Sequence, residues 1–260
     1  MRILFIGDVV GKAGRTAVAE ALAQWRDAYE PDVVIANAEN SAGGQGATPK
    51  TLEELLEAGV DCFTMGDHVF DQPFSDLEAF PIVRPGNLIE SIGGSGMLEF
   101  TTRGGESIVV LNLLGYAFLK RRATSYFSAV DSILKTVTTP HIFVDFHAEA
   151  TSEKLAFGHY LDGRVTAVVG THTHVPTADT RILPGGTAFQ ADAGMCGALE
   201  SVLGFSTPNS HAWLRREMGE RTKPSGDLIA KERPYFADAV LIESDSGGRA
   251  TSVRRLTTRP

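Results

Sequence analysis

The chain has 260 residues, 43% of them hydrophobic and 22% charged, an ordinary globular composition that excludes disorder, collagen and coiled coil. Thirty-two acidic against 24 basic residues leave a net charge of −8, which argues against a surface that tracks long nucleic acid. Cys62 and Cys196 lie far apart with no metal spacing, so buried thiols in a reducing compartment are expected. No run approaches the ~20 apolar residues of a membrane helix. The apolar run 3–6 stops at Gly7-Asp8, too short for a signal-peptide core. The expectation is a cytoplasmic protein with no membrane partner.

Strand-length apolar runs alternate with helix-length amphipathic stretches, the α/β pattern. Residues 2–6 read as a buried strand. A helix is predicted over 14–29, where Val18, Ala21, Leu22 and Trp25 share one face. Pro31 breaks it before a second strand at 32–36. Thr48 is an N-cap and Pro49 stands at the first helical position of a helix over 49–58, with an acid expected near its first turn. Gly59 ends that helix, and a third strand follows at 62–65. Residues 98–102 and 107–113 read as a hairpin joined by Arg103-Gly104-Gly105-Glu106. A helix at 126–137, a strand at 141–146, a helix at 153–162 and a strand at 165–169 come next. A hairpin at 182–190 turns around Pro184-Gly185-Gly186, and a short polar helix is read at 212–220. A last hairpin pairs 237–243 with 250–256 across Ser246-Gly247-Gly248. No repeat or linker interrupts the chain, so residues 1–260 read as a single domain. Parallel βα units early and hairpins late predict two mixed sheets packed face to face, with helices outside.

The polar residues fall at strand ends. Asp8 follows the first strand, Glu39-Asn40 the second and Asp67-His68 the third; His147 ends the strand near 146, and His172-Thr173-His174 follows the strand at 165–169. In open α/β sheets ligands bind outside the carboxyl ends of strands, where such side chains converge. Each residue alone has a bland reading: Asp8 in a turn, Asn40 bonded within the Gly43-Gly44 loop, His147 as a satisfied core histidine. His172 and His174 are two apart, and in extended chain both rings would face one side. Taken together the pattern reads as a metal site. His141, His159 and His211 lie outside it and read as structural.

Other motifs fail. In Gly7-Asp8-Val9-Val10-Gly11-Lys12-Ala13 only three residues separate the glycines, and Ala13 stands where a P-loop needs Ser or Thr. Neither G-x-G-x-x-G after a strand nor G-x-S-x-G occurs, against dinucleotide oxidoreductases and serine hydrolases. Carboxylate, amide and imidazole donors without thiolate suit Mn, Fe or Zn. Seven candidates are too many for one ion and suit two ions bridged by a carboxylate, the arrangement used in phosphoryl transfer.

Gly7-Asp8, Asn37-Ala38-Glu39-Asn40, Gly66-Asp67-His68, Asp145-Phe146-His147-Ala148-Glu149 and Gly170-Thr171-His172-Thr173-His174 resemble the motifs of calcineurin-like metallophosphoesterases. More narrowly, the chain resembles the bacterial YmdB-like group of 2′,3′-cyclic-nucleotide phosphodiesterases, from Met1 to about Gly204. The resemblance implies a four-layer α/β/β/α sandwich. It implies one metal on Asp8, Asn40 and His174, a second on Asp67, His147 and His172, Glu39 bridging them, and His68 as the general acid. Two positions depart from the pattern. Val10 stands where the wider superfamily has histidine, a lack the YmdB-like group shares, with Asn40 completing the coordination. Asp67 stands where the group usually has asparagine. The extra carboxylate points to an iron centre with an Fe(III)/Fe(II) pair, with manganese as the other main expectation and zinc as a third.

The expected reaction is attack on phosphorus by a metal-bridging hydroxide, with His68 protonating the leaving ribose oxygen. The expected partner is a small nucleotide phosphoester; a homo-oligomer stays open. The rival readings are a broad phosphomonoesterase or protein phosphatase, a nuclease, a metal-dependent nucleotide-binding regulatory protein, and a structural role in which the metals only tie strands together.

Overall fold

The computed structural model describes residues 1–77, 79–89, 93–119, 121–224 and 226–260. Strands are β1 Arg2–Ile6, β2 Asp8–Val9, β3 Val33–Asn37, β4 Cys62–Thr64, β5 Ile82–Val83, β6 Met97–Thr101, β7 Ser107–Leu114, β8 Ile142–His147, β9 Ala167–Thr171, β10 Arg181–Ile182, β11 Ala188–Gln190, β12 Met195–Ala198, β13 Tyr235–Ser244 and β14 Ala250–Thr257. Helices are α1 Gly11–Tyr29, α2 Pro49–Ala58, α3 Tyr126–Leu134, α4 Thr151–Leu161 and α5 Thr207–Glu217.

Alternation along the strands sets the layers. Ile3 and Phe5 of β1 join Val33, Ile35, Val110, Phe143 and Val169 in the core between two sheets. Leu4 and Ile6 face the other way and join Val18, Leu22 and Leu52 under α1 and α2. On the far side Val109, Leu111, Val144 and Val168 pack with Val130 of α3 and Phe157 of α4. A period of two thus gives both sheets two buried faces, and each fully buried aliphatic side chain stabilises the fold by about 1.5–3 kcal/mol. The result is the expected α/β/β/α layering.

The first sheet runs β2-β12-β13-β1-β3-β4-β5, with β14 paired to β13, and the second runs β10-β11-β9-β8-β7-β6. β1, β3 and β4 are parallel neighbours, as are β7, β8 and β9. Their carboxyl ends therefore open on one edge of the sandwich. The hairpins β6–β7, β10–β11 and β13–β14 form where expected.

Several boundaries differ for physical reasons. α1 begins at Gly11 rather than 14, because its glycines serve close approach: a Cβ on Gly14 would sit 2.5 Å from the Cys196 carbonyl of β12. α2 is capped as expected by Thr48, but Thr51 rather than an acid closes the capping box. α5 begins at Thr207, not 212, since Pro208 is accommodated in its first turn. β12, Met-Cys-Gly-Ala, carries no β-branched residue and offered no strand signal. Among the described residues no helix is long and apolar enough to cross a membrane.

Candidate metal centre

The seven sequence candidates come together at the shared carboxyl edge of the two sheets. Asp8 lies in β2, Glu39 and Asn40 follow β3, Asp67 follows β4, His147 closes β8, and His172 and His174 follow β9. His147 Nε2 lies 3.1 Å from Glu39 Oε1, 3.2 Å from Asp67 Oδ1 and 3.1 Å from His172 Nδ1. Ligand atoms of Glu39, Asp67, His147 and His172 all fall within 4.8 Å of one another. A second group stands beside it. His174 Nε2 is 3.7 Å from Asp8 Oδ1, and Asn40 Nδ2 is 3.4 Å from Asp8 Oδ1, His174 Nε2 and Glu39 Oε1. Glu39 belongs to both groups.

Each imidazole has one nitrogen engaged away from the cluster, which leaves the other free to bind. His147 Nδ1 donates to Thr171 Oγ1 at 2.9 Å, Thr171 donates to Asp145 at 2.7 Å, and Asn37 Nδ2 holds the other Asp145 oxygen at 3.1 Å. His172 Nε2 meets Glu149 at 2.9 Å, and His174 Nδ1 donates to the Leu203 carbonyl at 3.0 Å. Asn37, Asp145, Glu149 and Thr171 stood within the motif blocks but were given no role from sequence, and Leu203 was not noticed. Asp145 was within reach, because residues two apart on a strand share a face and Asp145 precedes His147 by two.

One expectation is corrected. His172 and His174 do not sit in extended chain: their φ angles are +99° and +62°. The two rings therefore separate rather than face one side, His172 turning to the Asp67 group and His174 to the Asp8 group. The left-handed backbone is held by Asp8 Oδ2 on the His172 N–H and by Asp192 Oδ2 on the Thr173 N–H, at 3.1 and 3.0 Å.

The buried carboxylates and imidazoles shift one another strongly. Burial raises Asp8, although His174 and His147 oppose it. Burial also works against ionised Glu39 and Asp67, but His147 overcomes it for Glu39, and hydrogen bonds from His147 and His172 do so for Asp67. Burial lowers His147, yet Glu39 and Asp67 carry it well above its usual range. Burial pushes Asp145 up to about 7. The donor set of three carboxylates, an amide and three imidazoles fits hard or borderline divalent metals.

Among the described residues, His68 is held by carboxylates rather than by the imidazoles. Its backbone N–H donates to Glu39 Oε2 at 3.0 Å, and its Nδ1 meets Asp71 Oδ2 at 2.6 Å. Arg121 donates to the other Asp71 oxygen at 2.8 Å and to the Asp67 carbonyl. Asp71 and Arg121 were missed in the sequence. Asp71, three residues after His68, was within reach of a local spacing argument, whereas nothing links Arg121, 50 positions on from Asp71, to either. A cleft of about 270 Å³ opens over the cluster, lined by Glu39, Asn40, His68, His172, His174 and an apolar end of Leu203 and Phe205. His141 lies elsewhere, buried against Ser244, and His159 and His211 are exposed on α4 and α5.

Comparisons with known proteins agree with this architecture. The family model described as YmdB-like protein matches residues 4–256. The 2′,3′-cyclic-nucleotide 2′-phosphodiesterase of Bacillus subtilis is 47% identical, covering 98% of this chain and 96% of that protein. A hypothetical protein of Thermus thermophilus superposes with a TM-score of 0.89 at 39% identity, over 99% of this chain and 98% of the other. A structure described as a novel phosphatase of Mycoplasma pneumoniae gives 0.88 at 37% identity, over 99% and 92%. The 5′-nucleotidase precursor of T. thermophilus shares the fold alone, at 13% identity and a TM-score of 0.58, with 99% of this chain matching 54% of it. With a metallophosphoesterase-like fold and a family match across nearly its whole length, the chain belongs to the YmdB-like family and is a phosphoric ester hydrolase.

Proposed function

We propose that the chain is a cytoplasmic phosphodiesterase that hydrolyses 2′,3′-cyclic nucleotides, or related small phosphodiesters, at a two-metal centre. The observation that carries the reading is Glu39, whose carboxylate is shared by the His147–Asp67–His172 group and the Asp8–Asn40–His174 group. Asp8, Asn40 and His174 would hold one ion, Asp67, His147 and His172 the other, and Glu39 both. When bound, such a pair lowers the pKa of water and offsets charge developing on the phosphoryl oxygens.

The chain's own groups supply the rest. Asp71 accepts from His68 Nδ1–H. Burial lowers His68, but Glu39, Asp71 and Asp67 raise it overall, which favours the imidazolium, the form that carries a second proton at Nε2 for the departing ribose oxygen. Arg121 fixes Asp71 from the other side, which limits rotation of the imidazole. Leu203 and Phe205 give the cleft an apolar end that suits a nucleoside. The name of the B. subtilis relative supports the substrate class. Iron or manganese is the proposed metal, with zinc third. The Asp67 carboxylate adds a negative charge that an Fe(III)/Fe(II) pair would balance.

The test is a panel of 2′,3′- and 3′,5′-cyclic nucleotides and phosphomonoesters, assayed with Mn²⁺, Fe²⁺ and Zn²⁺. Turnover of the 2′,3′-cyclic nucleotides above the monoesters is expected. Monoester hydrolysis alone would replace the reading with a phosphatase, and tight nucleotide binding without turnover would replace it with a regulatory protein. EPR and Mössbauer spectra of protein purified without added metal should show a ferric component; a zinc-only or manganese-only centre would remove the iron assignment.

A further inference from the structure

Behind the histidine loop lies a charge pair that the proposed chemistry does not use. Lys154 of α4 and Asp192 are each 1% exposed, with Nζ and Oδ2 2.7 Å apart. The lysine stem threads past Gly170, where a Cβ would come within 3.0 Å of Lys154 Cδ. Asp192 faces two ways. Its Oδ2 accepts the Thr173 N–H at 3.0 Å, between the two left-handed histidines, and its Oδ1 accepts the Gly194 N–H at 2.9 Å. The Gly194 carbonyl in turn accepts the Asp8 N–H at 3.0 Å. One carboxylate therefore underlies the backbone of Asp8 on one side and of His172 and His174 on the other.

Two physical arguments give this arrangement a purpose beyond cohesion. Left-handed backbone is unfavourable for residues with a Cβ and persists only where neighbouring bonds over-determine it. A buried ion pair is also a poor source of stability, because well-packed apolar residues of similar volume often serve as well or better. We infer that Lys154 and Asp192 are positioning residues for the Asp8–Asn40–His174 subsite. Lys154 orients the carboxylate, and the carboxylate holds the Thr173 and Gly194 peptides so that His174 and Asp8 face one another. The inference rests on the proposed role of that subsite in holding a metal.

The test compares Mn²⁺ affinity, from EPR of the free ion, with thermal stability in three proteins. Lys154→Met/Asp192→Leu removes the charges as a pair but leaves the Thr173 and Gly194 N–H groups without their acceptor, so it should lose some thermal stability and bind Mn²⁺ roughly ten- to hundred-fold more weakly. Lys154→Met/Asp192→Asn restores an acceptor for one of the two N–H groups without a buried charge, and should regain part of the lost affinity. Wild-type affinity in the leucine variant, or no recovery with asparagine, would overturn the inference. Amide exchange in metal-free wild type tests it independently of any variant's folding. Thr173 and Gly194 should be protected, and exchange as fast as that of exposed loops would refute the clamp. Wild-type protein that binds none of Mn²⁺, Fe²⁺ and Zn²⁺ would sink the two-metal reading instead, leaving the exchange measurement to decide the clamp.

Discussion

Glu39 holds His68 by its backbone while meeting His147 through its other oxygen: Oε2 accepts the His68 N–H at 3.0 Å and Oε1 lies 3.1 Å from His147 Nε2. The candidate acid and the candidate metal cluster are thus tied to one side chain. Because the tie to His68 runs through its backbone, losing the His68 ring should spare the cluster, whereas losing Glu39 should disturb both.

His68→Ala should lower kcat by about 10²–10⁴-fold on a cyclic nucleotide, the range of a general acid, with metal content nearly unchanged. The loss should be much smaller on a p-nitrophenyl ester, whose leaving group needs no proton. Wild-type turnover of the cyclic nucleotide would remove the assignment. Asp71→Asn, which weakens the hold on Nδ1, should show the same leaving-group dependence in milder form.

Glu39→Ala should lose metal and activity together, because the carboxylate is the member common to both groups. Metal analysis after gel filtration checks this. Retention of two ions per chain would show that the groups bind independently.

Gly66→Ala should be damaging although it adds one methyl group. A Cβ there would collide with Glu39 Oε2 and the His147 ring, both buried and held. Overpacking of this kind costs about 1–3 kcal/mol, read as a fall in Tm, and metal affinity should fall with it.

Cys62 and Cys196 are fully buried, and burial pushes both thiols above their usual range. The native protein should therefore resist a thiol-specific chromogenic reagent, and both thiols should react once it is unfolded in denaturant. Rapid labelling of the folded chain would contradict the packing described around β4 and β12.

Much of this protein was readable before any coordinates. Strand periodicity and helix caps placed most elements, because burial of one face leaves a pattern of two or 3.6 along the chain. The positions of Asp8, Glu39, Asn40, Asp67, His147, His172 and His174 after successive strands anticipated their meeting at one edge, since parallel strands present their carboxyl ends together. Contacts between segments distant in sequence left no such trace. Arg121 reaches Asp71 across 50 positions and Lys154 reaches Asp192 across 38, and neither pair shares an element or a period. β12 was silent because its neighbours β2 and β13, rather than its own propensity, hold it in the sheet. The left-handed turns at His172 and His174 were hidden as well, because they are enforced by Asp8 and Asp192 from outside the loop. Local periodicity thus settled which residues could approach the site, whereas their orientation depended on bonds that exist only after the two sheets have closed on each other.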